Sequence, residues 1–567
     1  MFQPELIKTL KDYSFKKFLS DLIAGVIVGI VALPLAIAFA IASGVSPEKG
    51  LYTAIVAGFF ISLLGGSRVQ IGGPTGAFTV LVYAVVQQHG LAGLAVASIM
   101  AGIILILLGV FKLGGLVKFI PYTIITGFTA GIAVTIAAGQ IGDFFGLTPD
   151  FSTPMMIFGT AYEKMPGTFL AKIAVYIKSA GTVNWYAFAM AAVSLALIFV
   201  WPKINKKIPG SLIVIILATV VNLLVGKFTN GALSCDTIGS RYGEIPRSLP
   251  APSFPVVGIQ TIIDLFPTSI SIAVLAAIES LLSAVVADGM IGAKHDSDTE
   301  LIAQGIANIA SPIFGGIPAT GAIARTATNI KNGGRTPVAG IIHAVTLLLI
   351  MLFLGKYAVY IPMAALSAVL VNVAWNMAGF PAIRALLKGQ KSDVSVLAVT
   401  FIITVIIDLT VAIEVGLALA AFFFIKKMID VSEVHEYKNQ ITGGLQNTDL
   451  NEPPLDVPAG VLVYEIDGPL FFGTVRKFEL AVERAGVESK ALILRMRNTL
   501  YLDAGGIQAL KQLKNACDRK NITIVISGIH TQPFILLEKT GMAELLGREN
   551  IFGHIDEALV RAGELAK

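Results

Sequence analysis

Two short stretches carry residues able to do chemistry inside a mostly apolar chain. Gly315 to Thr326 reads Gly-Gly-Ile-Pro-Ala-Thr-Gly-Ala-Ile-Ala-Arg-Thr, and a weaker counterpart, Gly72-Gly73-Pro74-Thr75-Gly76-Ala77, lies far upstream. Each sets a Gly pair, a proline and a Thr-Gly before a short run of helical character. Proline is tolerated best at the first helical position, so each stretch predicts a helix that begins at its proline, inside a membrane. Such a helix start leaves N–H groups unpaired and directs the positive end of its dipole inward. Two starts that face each other would bind an anion. Paired interrupted segments at matching places in two halves of a chain also point to a transporter's substrate site.

Several nearby side chains fit that chemistry. Thr75, Thr320 and Ser283 carry hydroxyls able to donate to an oxyanion, although a Thr in a membrane helix commonly bonds its own backbone. Arg325 lies one turn into the second short helix, where a fixed positive charge raises the potential without touching a ligand. Glu279 sits between Ala-Ala-Ile and Ser-Leu-Leu, and a carboxylate at that depth costs at least a few kcal/mol. It is either a structural partner, of Arg325 or of a helix start, or a coupling group that carries a proton or ligates a cation. A carboxyl in such surroundings can hold its proton near neutrality. Gly316 to Gly321 has the spacing of a phosphate loop, but Ala322 stands where the lysine is needed. Neither a Ser/His/Asp nor a Cys/His arrangement is recognisable around the six His.

Composition narrows the class. Of 567 residues, 55% are hydrophobic and only 14% are charged, against about 25% charged in a soluble domain. The mean hydropathy is +0.78, so most of the chain must lie in a lipid bilayer. A net charge of +5 gives no case for nucleic acid. Cys235 and Cys517 stand far apart without a His cluster, so neither a disulfide framework nor a zinc site follows.

Taking a span as about 20 residues, apolar runs from Asp21 to Phe424 give about fourteen segments. Residues 1–20 form a basic amino-terminal stretch and 21–427 a transport domain, with halves at about 21–225 and 256–427. The first short helix is expected over Pro74–Val86, while Met155–Thr160 and Phe169–Ile177 are too short to span and read as interfacial. Starting inside, an even number of spans puts Arg68, Lys294, Lys331, Arg335 and Lys426 on the cytoplasmic side, as the positive-inside tendency favours. Both termini are then cytoplasmic, in a plasma or inner membrane. Residues 428–456 are polar and read as a linker. From 457 to 567, strands at Gly460–Ile466, Ala491–Met496 and Ile522–Ser527 alternate with helices at Thr474–Ala485, Gly505–Arg519, Thr531–Thr540 and His554–Ala566, a small soluble α/β domain.

These features resemble the sulfate permease (SulP) family of anion transporters. The resemblance rests on Leu33-Pro34 with Ala38-Phe39-Ala40, on Gly50-Leu51-Tyr52, and on Gly315 through Arg325-Thr326-Ala327. It rests also on a carboxyl-terminal domain similar to STAS domains. It implies fourteen segments in two inverted repeats of seven, divided into core and gate, and an elevator-like movement, commonly in a homodimer. It also implies a substrate site at Phe39, Thr75, Gly76, Ala77 and Gly321 to Arg325, thus including Ala322 and Ile323, beside Glu279 and Ser283. Sodium-coupled members resemble an Asp where Glu279 stands, which tilts the expectation toward a proton. Where STAS regulators resemble Asp-Ser-Ser-Gly, this chain has Asp503-Ala504-Gly505-Gly506, which removes the phosphorylatable serine and leaves Thr499 nearby. The expected function is ion-coupled transport of a small inorganic anion, sulfate first, then bicarbonate. Dicarboxylate transport or an uncoupled channel or exchanger stand as alternatives; no cofactor, metal or enzymatic activity is expected.

Overall fold

The computed structural model describes residues 2–115, 121–205, 209–230, 233–407, 409–437, 440–441, 455–472, 474 and 489–567. The chain divides into two units, Met1–Leu417 and Ala418–Lys567. The first opens with α1 (Glu5–Leu10), α2 (Phe15–Ala42), α3 (Pro47–Leu64), the two-residue strand β1 (Gly72–Gly73) and α4 (Gly76–Val110). There follow α5 (Tyr122–Gly139), α6 (Ile141–Phe145), strands β2 (Met155–Ile157) and β3 (Thr160–Tyr162), α7 (Phe169–Lys178), α8 (Trp185–Ile204), α9 (Gly210–Phe228) and α10 (Ile238–Tyr242). The opening plan then recurs as α11 (Ile259–Ile291), α12 (Ser297–Ile313), the strand β4 (Thr320–Gly321) and α13 (Ile323–Lys331). The unit closes with α14 (Val338–Ala358), α15 (Met363–Met377), α16 (Phe380–Leu387), α17 (Lys391–Ile406) and the start of α18 (Leu409–Val431). Among the described residues, eight helices have the length and apolar character to cross a bilayer.

The helices pack in two groups. One joins α2, α3, α4, α11, α12, α13 and α14; the other joins α5, α6, α8, α9, α15 and α17. Within the first group α4 and α12 touch backbone to backbone, since a Cβ on Gly305 would lie 2.5 Å from the Gly102 carbonyl and one on Gly102 would lie 2.6 Å from that of Gly305. Lipid supplies no hydrophobic drive between helices, so close contact of small residues holds them together.

Local structure departs from the sequence reading in three places. The prolines do not open the short helices: Thr75 precedes the first residue of α4, and Pro318 lies before β4, well ahead of α13. Each instead keeps the backbone extended before its helix. The first short helix ends not at Val86 but at Gly90, whose φ of 67° and ψ of −169° break α4 in two. Residues 155–162, read from sequence as a short interfacial segment of no stated secondary structure, form an antiparallel hairpin, β2 with β3.

The second unit is a sheet in the order β11-β10-β9-β8-β5, built from β5 (Glu433–Tyr437), β8 (Val461–Asp467), β9 (Ala491–Asn498), β10 (Thr523–Ser527) and β11 (Ile551–Phe552). The short pair β6 (Gln440–Ile441) and β7 (Leu455–Asp456) lies outside that sheet. Within the five-stranded sheet, only the β5–β8 pairing is antiparallel. On one face pack α19 (Ala504–Asp518), α20 (Thr531–Lys539) and α21 (Met542–Leu546), and on the other α22 (Ile555–Ala566). The helix expected at Thr474–Ala485 falls outside the described residues beyond Thr474, as do 438–439 and 442–454 of the expected linker. The described parts of 428–456 are not linker but the end of α18 and the strands β5, β6 and β7. Thr499 is fully buried, its hydroxyl donating to the Ile466 carbonyl at 3.0 Å, so it is no ready phosphorylation site. Burial and the neighbouring Asp518 push the Cys517 thiol up to about 11, which keeps it protonated and unreactive at neutral pH.

The α4–α12 contact carries a prediction. Gly305→Val drives a side chain into rigid backbone and should cost about 1–3 kcal/mol or more, read as a lowered Tm of the purified protein. Gly226→Ala, where a Cβ meets nothing within 4 Å, should leave the Tm unchanged or raise it.

Candidate functional site

The two interrupted stretches meet. β1 and β4 pair antiparallel, Gly72 with Gly321 and Gly73 with Thr320, and the Ala322 N–H donates to the Ile71 carbonyl at 2.8 Å. Directly beyond this pair, α4 and α13 begin, and neither Thr75 nor Ala322 caps its helix with a side chain. Two sets of first-turn N–H groups are therefore left for a ligand, at the positive ends of two helix dipoles. At the start of α4, a Cβ on Gly76 would lie 2.9 Å from Met377 Sδ, 3.2 Å from Ile136 Cδ1 and 3.3 Å from Phe39 Cε1. Gly76 is thus packed close against Phe39, and Ala77 beside it in the chain is fully buried. At the start of α13, Ala322 is nearly buried while Ile323 is 45% exposed, so that helix opens onto free space.

Irregular backbone at this depth survives only if protein satisfies it, and here α13 satisfies the upstream stretch. Asn329 donates to the Val69 carbonyl at 2.9 Å, Thr326 accepts from the Ile71 N–H at 3.0 Å, and Arg325 donates to the Pro74 carbonyl at 3.0 Å. The downstream stretch is held in turn. Asn308 of α12 both donates to and accepts from Ala319, at 2.8 and 2.9 Å, Ser311 donates to the Ile317 carbonyl, and Thr53 of α3 accepts the Ile317 N–H.

Arg325 is only 2% exposed, and its Nη1 has no hydrogen-bond partner among the described residues. That nitrogen occupies the place where a Cβ on Gly73 would fall, and Gly73 has a φ of +153°. Only glycine serves there, for both reasons. The guanidinium lies behind the strand pair, against Gly73 and the Pro74 carbonyl. No bond joins it to Glu279, whose carboxylate instead accepts from the Thr75 hydroxyl at 3.0 Å. Glu279 is partly exposed and stands beside the start of α4.

The remaining predicted hydroxyls are engaged elsewhere. Thr320 bonds Ser280 at 2.7 Å and the Ala276 carbonyl at 3.2 Å, while Ser283 donates to Thr326 at 3.4 Å. Ser280 also accepts the Gly321 N–H at 3.0 Å. Thr320 and Ser283 therefore tie α11 to β4 and α13.

With the geometry in place, comparison with known proteins is decisive. Residues 18–400 match the sulfate permease family and residues 452–558 the STAS domain. The chain belongs to the sulfate permease family. That is a family of transporters, so this member is not an enzyme. It is 44% identical over 96% of its length to the putative sulfate transporter YvdB of Bacillus subtilis, covering 98% of that protein. It is 30% identical over 97% of its length to the bicarbonate transporter BicA of Picosynechococcus, covering 95% of it. The murine solute carrier 26 family member A9 anion transporter, in its inward-facing state, shares the fold. Its TM-score is 0.85 at 21% identity, with 99% of this chain and 94% of that one covered. The transmembrane domain of a cyanobacterial BicA gives a TM-score of 0.61 at 29% identity, over 72% of this chain and 98% of that one.

Sequence reasoning missed several residues of this family member. Glu300 is fully buried, and its two oxygens accept from the Gly66 and Ser67 N–H groups and from the Gln70 and Gln304 amides, at 2.9 to 3.2 Å. It reads in sequence as the end of a polar turn, because the loop it binds is more than two hundred residues away. His343 of α14 is fully buried with neither ring nitrogen bonded, and no motif marks it. A Ser/His/Asp line does exist, contrary to the sequence reading: His295 Nδ1 lies 2.7 Å from Asp288 and its Nε2 lies 3.0 Å from Ser297 Oγ. The neighbouring N–H groups of Asp298 and Thr299 already donate to Asp296, so they form no oxyanion hole beside it. The line braces the turn between α11 and α12.

The position of Arg325 yields a prediction. Arg325→Ala should weaken anion binding by about 1–3 kcal/mol, the range for a charged hydrogen-bonding group, in protein that remains monodisperse. Titration calorimetry reads this directly, and unchanged affinity contradicts the electrostatic role.

Proposed function

We propose that this protein is a secondary active transporter of a small inorganic anion, sulfate first and bicarbonate next, with the anion held between the starts of α4 and α13. The observation that carries this reading is the pair of uncapped helix starts locked side by side by β1 and β4. The choice of anions leans on the names of the relatives. Thr75 to Ala77 on one side and Ile323 and Ala324 on the other supply the backbone donors, since the Gly321 and Ala322 N–H groups are engaged by Ser280 and Ile71. Phe39 closes one side, and Arg325 raises the potential from behind. The packing of helices in two groups supports an elevator-like shift of one group, carrying the site, against the other. Lys8, Lys17, Arg68, Lys294 and Arg335 gather round one cavity at one end of the unit, which favours a cytoplasmic amino terminus in the plasma or inner membrane. A homodimer is the working assembly that the family resemblance implies.

Glu279 is the coupling group in this reading, with a proton as the coupled ion and sodium as the second choice. Ionised, its carboxylate competes with the substrate for the positive potential of the helix starts and Arg325. Protonated, it leaves that potential to the anion, so proton and anion favour each other's binding, as linkage requires.

Uptake of labelled sulfate or bicarbonate into proteoliposomes, under imposed proton or sodium gradients, tests the function. In Glu279→Gln, anion exchange should persist while uphill uptake driven by outside acid disappears. Accumulation by the mutant, or a strict need for sodium in the unmodified protein, contradicts the proton role. Truncation after Lys427 removes the STAS domain and should leave anion affinity unchanged in folded protein, because every donor named above lies in the membrane unit. A folded truncate that binds no anion contradicts the placement of the site.

A further inference from the structure

A second cavity, of about 390 Å³, lies where α1, the start of α2, the loop before β1, the end of α11 and the turn after α13 converge. Five cations line it, Lys8, Lys17, Arg68, Lys294 and Arg335, with Asp12 the one carboxylate among its lining residues. Their partners leave much of that charge uncompensated. Lys8 and Arg68 share a single carboxylate, Glu5, at 3.1 and 2.8 Å. Lys17 donates to the Asp12 carbonyl and Arg335 to the carbonyls of Ile330 and Gly334, all uncharged acceptors. Lys294 bonds to none of the described residues.

The other carboxylates nearby are occupied. Asp21 accepts from Tyr13, from the Arg335 and Thr336 N–H groups and from the Thr336 hydroxyl. Asp288 is held by His295. Five cations stand against Asp12, Glu5 and Asp21, the last of which has only neutral donors, and this leaves an excess of at most two positive charges around one concavity. Like charges are not gathered at such a place without cost, and an anion in the cavity offsets it.

We propose that this cavity binds a phosphate group, and that its source is the headgroup of an anionic lipid. The volume lies within the range of small-ligand pockets, and converging lysines and arginines suit phosphate oxygens. Its rim is at the level of a membrane surface: Phe15, Phe18 and Leu19 are exposed apolar residues at the start of α2, interleaved with Lys16 and Lys17. Basic groups just outside a membrane span attract anionic headgroups. A bound phosphate would clamp α1 onto the turns that lead to β1 and follow α13, the two turns that carry the transport site. The cavity shares no residue with that site, so this inference stands whether or not the transport reading holds.

The test uses the full chain. Retention of phosphatidylglycerol by purified protein is read by native mass spectrometry, with phosphatidylcholine as the neutral control. Lys17→Gln/Lys294→Gln removes two lysines that make no side-chain ion pair, and should weaken retention roughly 10- to 30-fold, since each lysine near a charged surface contributes about 1 kcal/mol. Lys17→Arg/Lys294→Arg should restore it, which separates lost charge from lost folding. A parallel arm titrates inorganic pyrophosphate in neutral detergent and reads the Tm. A rise in the unmodified protein but not in the Gln variant, without selective lipid retention, keeps the phosphate site and assigns it to a soluble ligand. If neither probe separates the unmodified protein from the Gln variant, the cavity is no phosphate site.

Discussion

The membrane unit depends on one constraint: backbone that is neither helix nor sheet must find hydrogen-bond partners without water. Two non-helical stretches run through it, and each unpaired N–H or C=O would cost several kcal/mol there. The chain meets this with side chains spaced along helices. Arg325, Thr326 and Asn329 fall on one face of α13 and reach Pro74, Ile71 and Val69 in turn. Asn308 and Ser311 of α12, with Thr53 of α3 and Ser280 of α11, do the same for Ile317 to Gly321. The few residues of β1 and β4 complete the account by pairing with each other.

Function follows from where that satisfaction stops. The backbone behind the strand pair is held by Arg325, Thr326 and Asn329, whereas the first turns of α4 and α13 are left without side-chain caps. In the proposed reading, Arg325 behind the strands raises the potential without forming a tight ion pair with a substrate that must also leave. In the proposed mechanism Glu279, bonded to Thr75, sets when the anion is welcome. The same economy explains Glu300, which fixes the turn ahead of β1 and so the direction in which α4 points.

Much of this was legible in the sequence, and the part that was not has a physical reason. The Gly-Gly, Pro and Thr-Gly pattern located both breaks, because few residues allow a chain to break inside a bilayer. It set the helix starts a few residues early, at the prolines rather than at Gly76 and Ile323. Arg325 and Glu279 stood out because charge at that depth is costly. Their pairing with each other was a fair alternative, yet each found a closer partner, Pro74 and Thr75 respectively. Thr320 and Ser283 looked like ligand hydroxyls, and no local pattern shows that their partners, Ser280 and Thr326, lie on neighbouring elements. Glu300 was hidden by its polar neighbours, and the hairpin at 155–162 by its apolar composition. In the second unit the alternation of strand and helix placed β8, β9, β10, α19, α20 and α22 to within a few residues. By contrast β5, β6 and β7, read as linker, and the short elements α21 and β11 left no pattern long enough to see.

The central claim is that the anion sits between the starts of α4 and α13. Selenate, a heavy analogue of sulfate, reports its own position by anomalous scattering in crystals of the full chain. A peak is predicted within hydrogen-bonding distance of the N–H groups of Gly76 and Ala77 on one side and of Ile323 and Ala324 on the other. Selenate bound elsewhere in the membrane unit, with these N–H groups unliganded, would contradict the account.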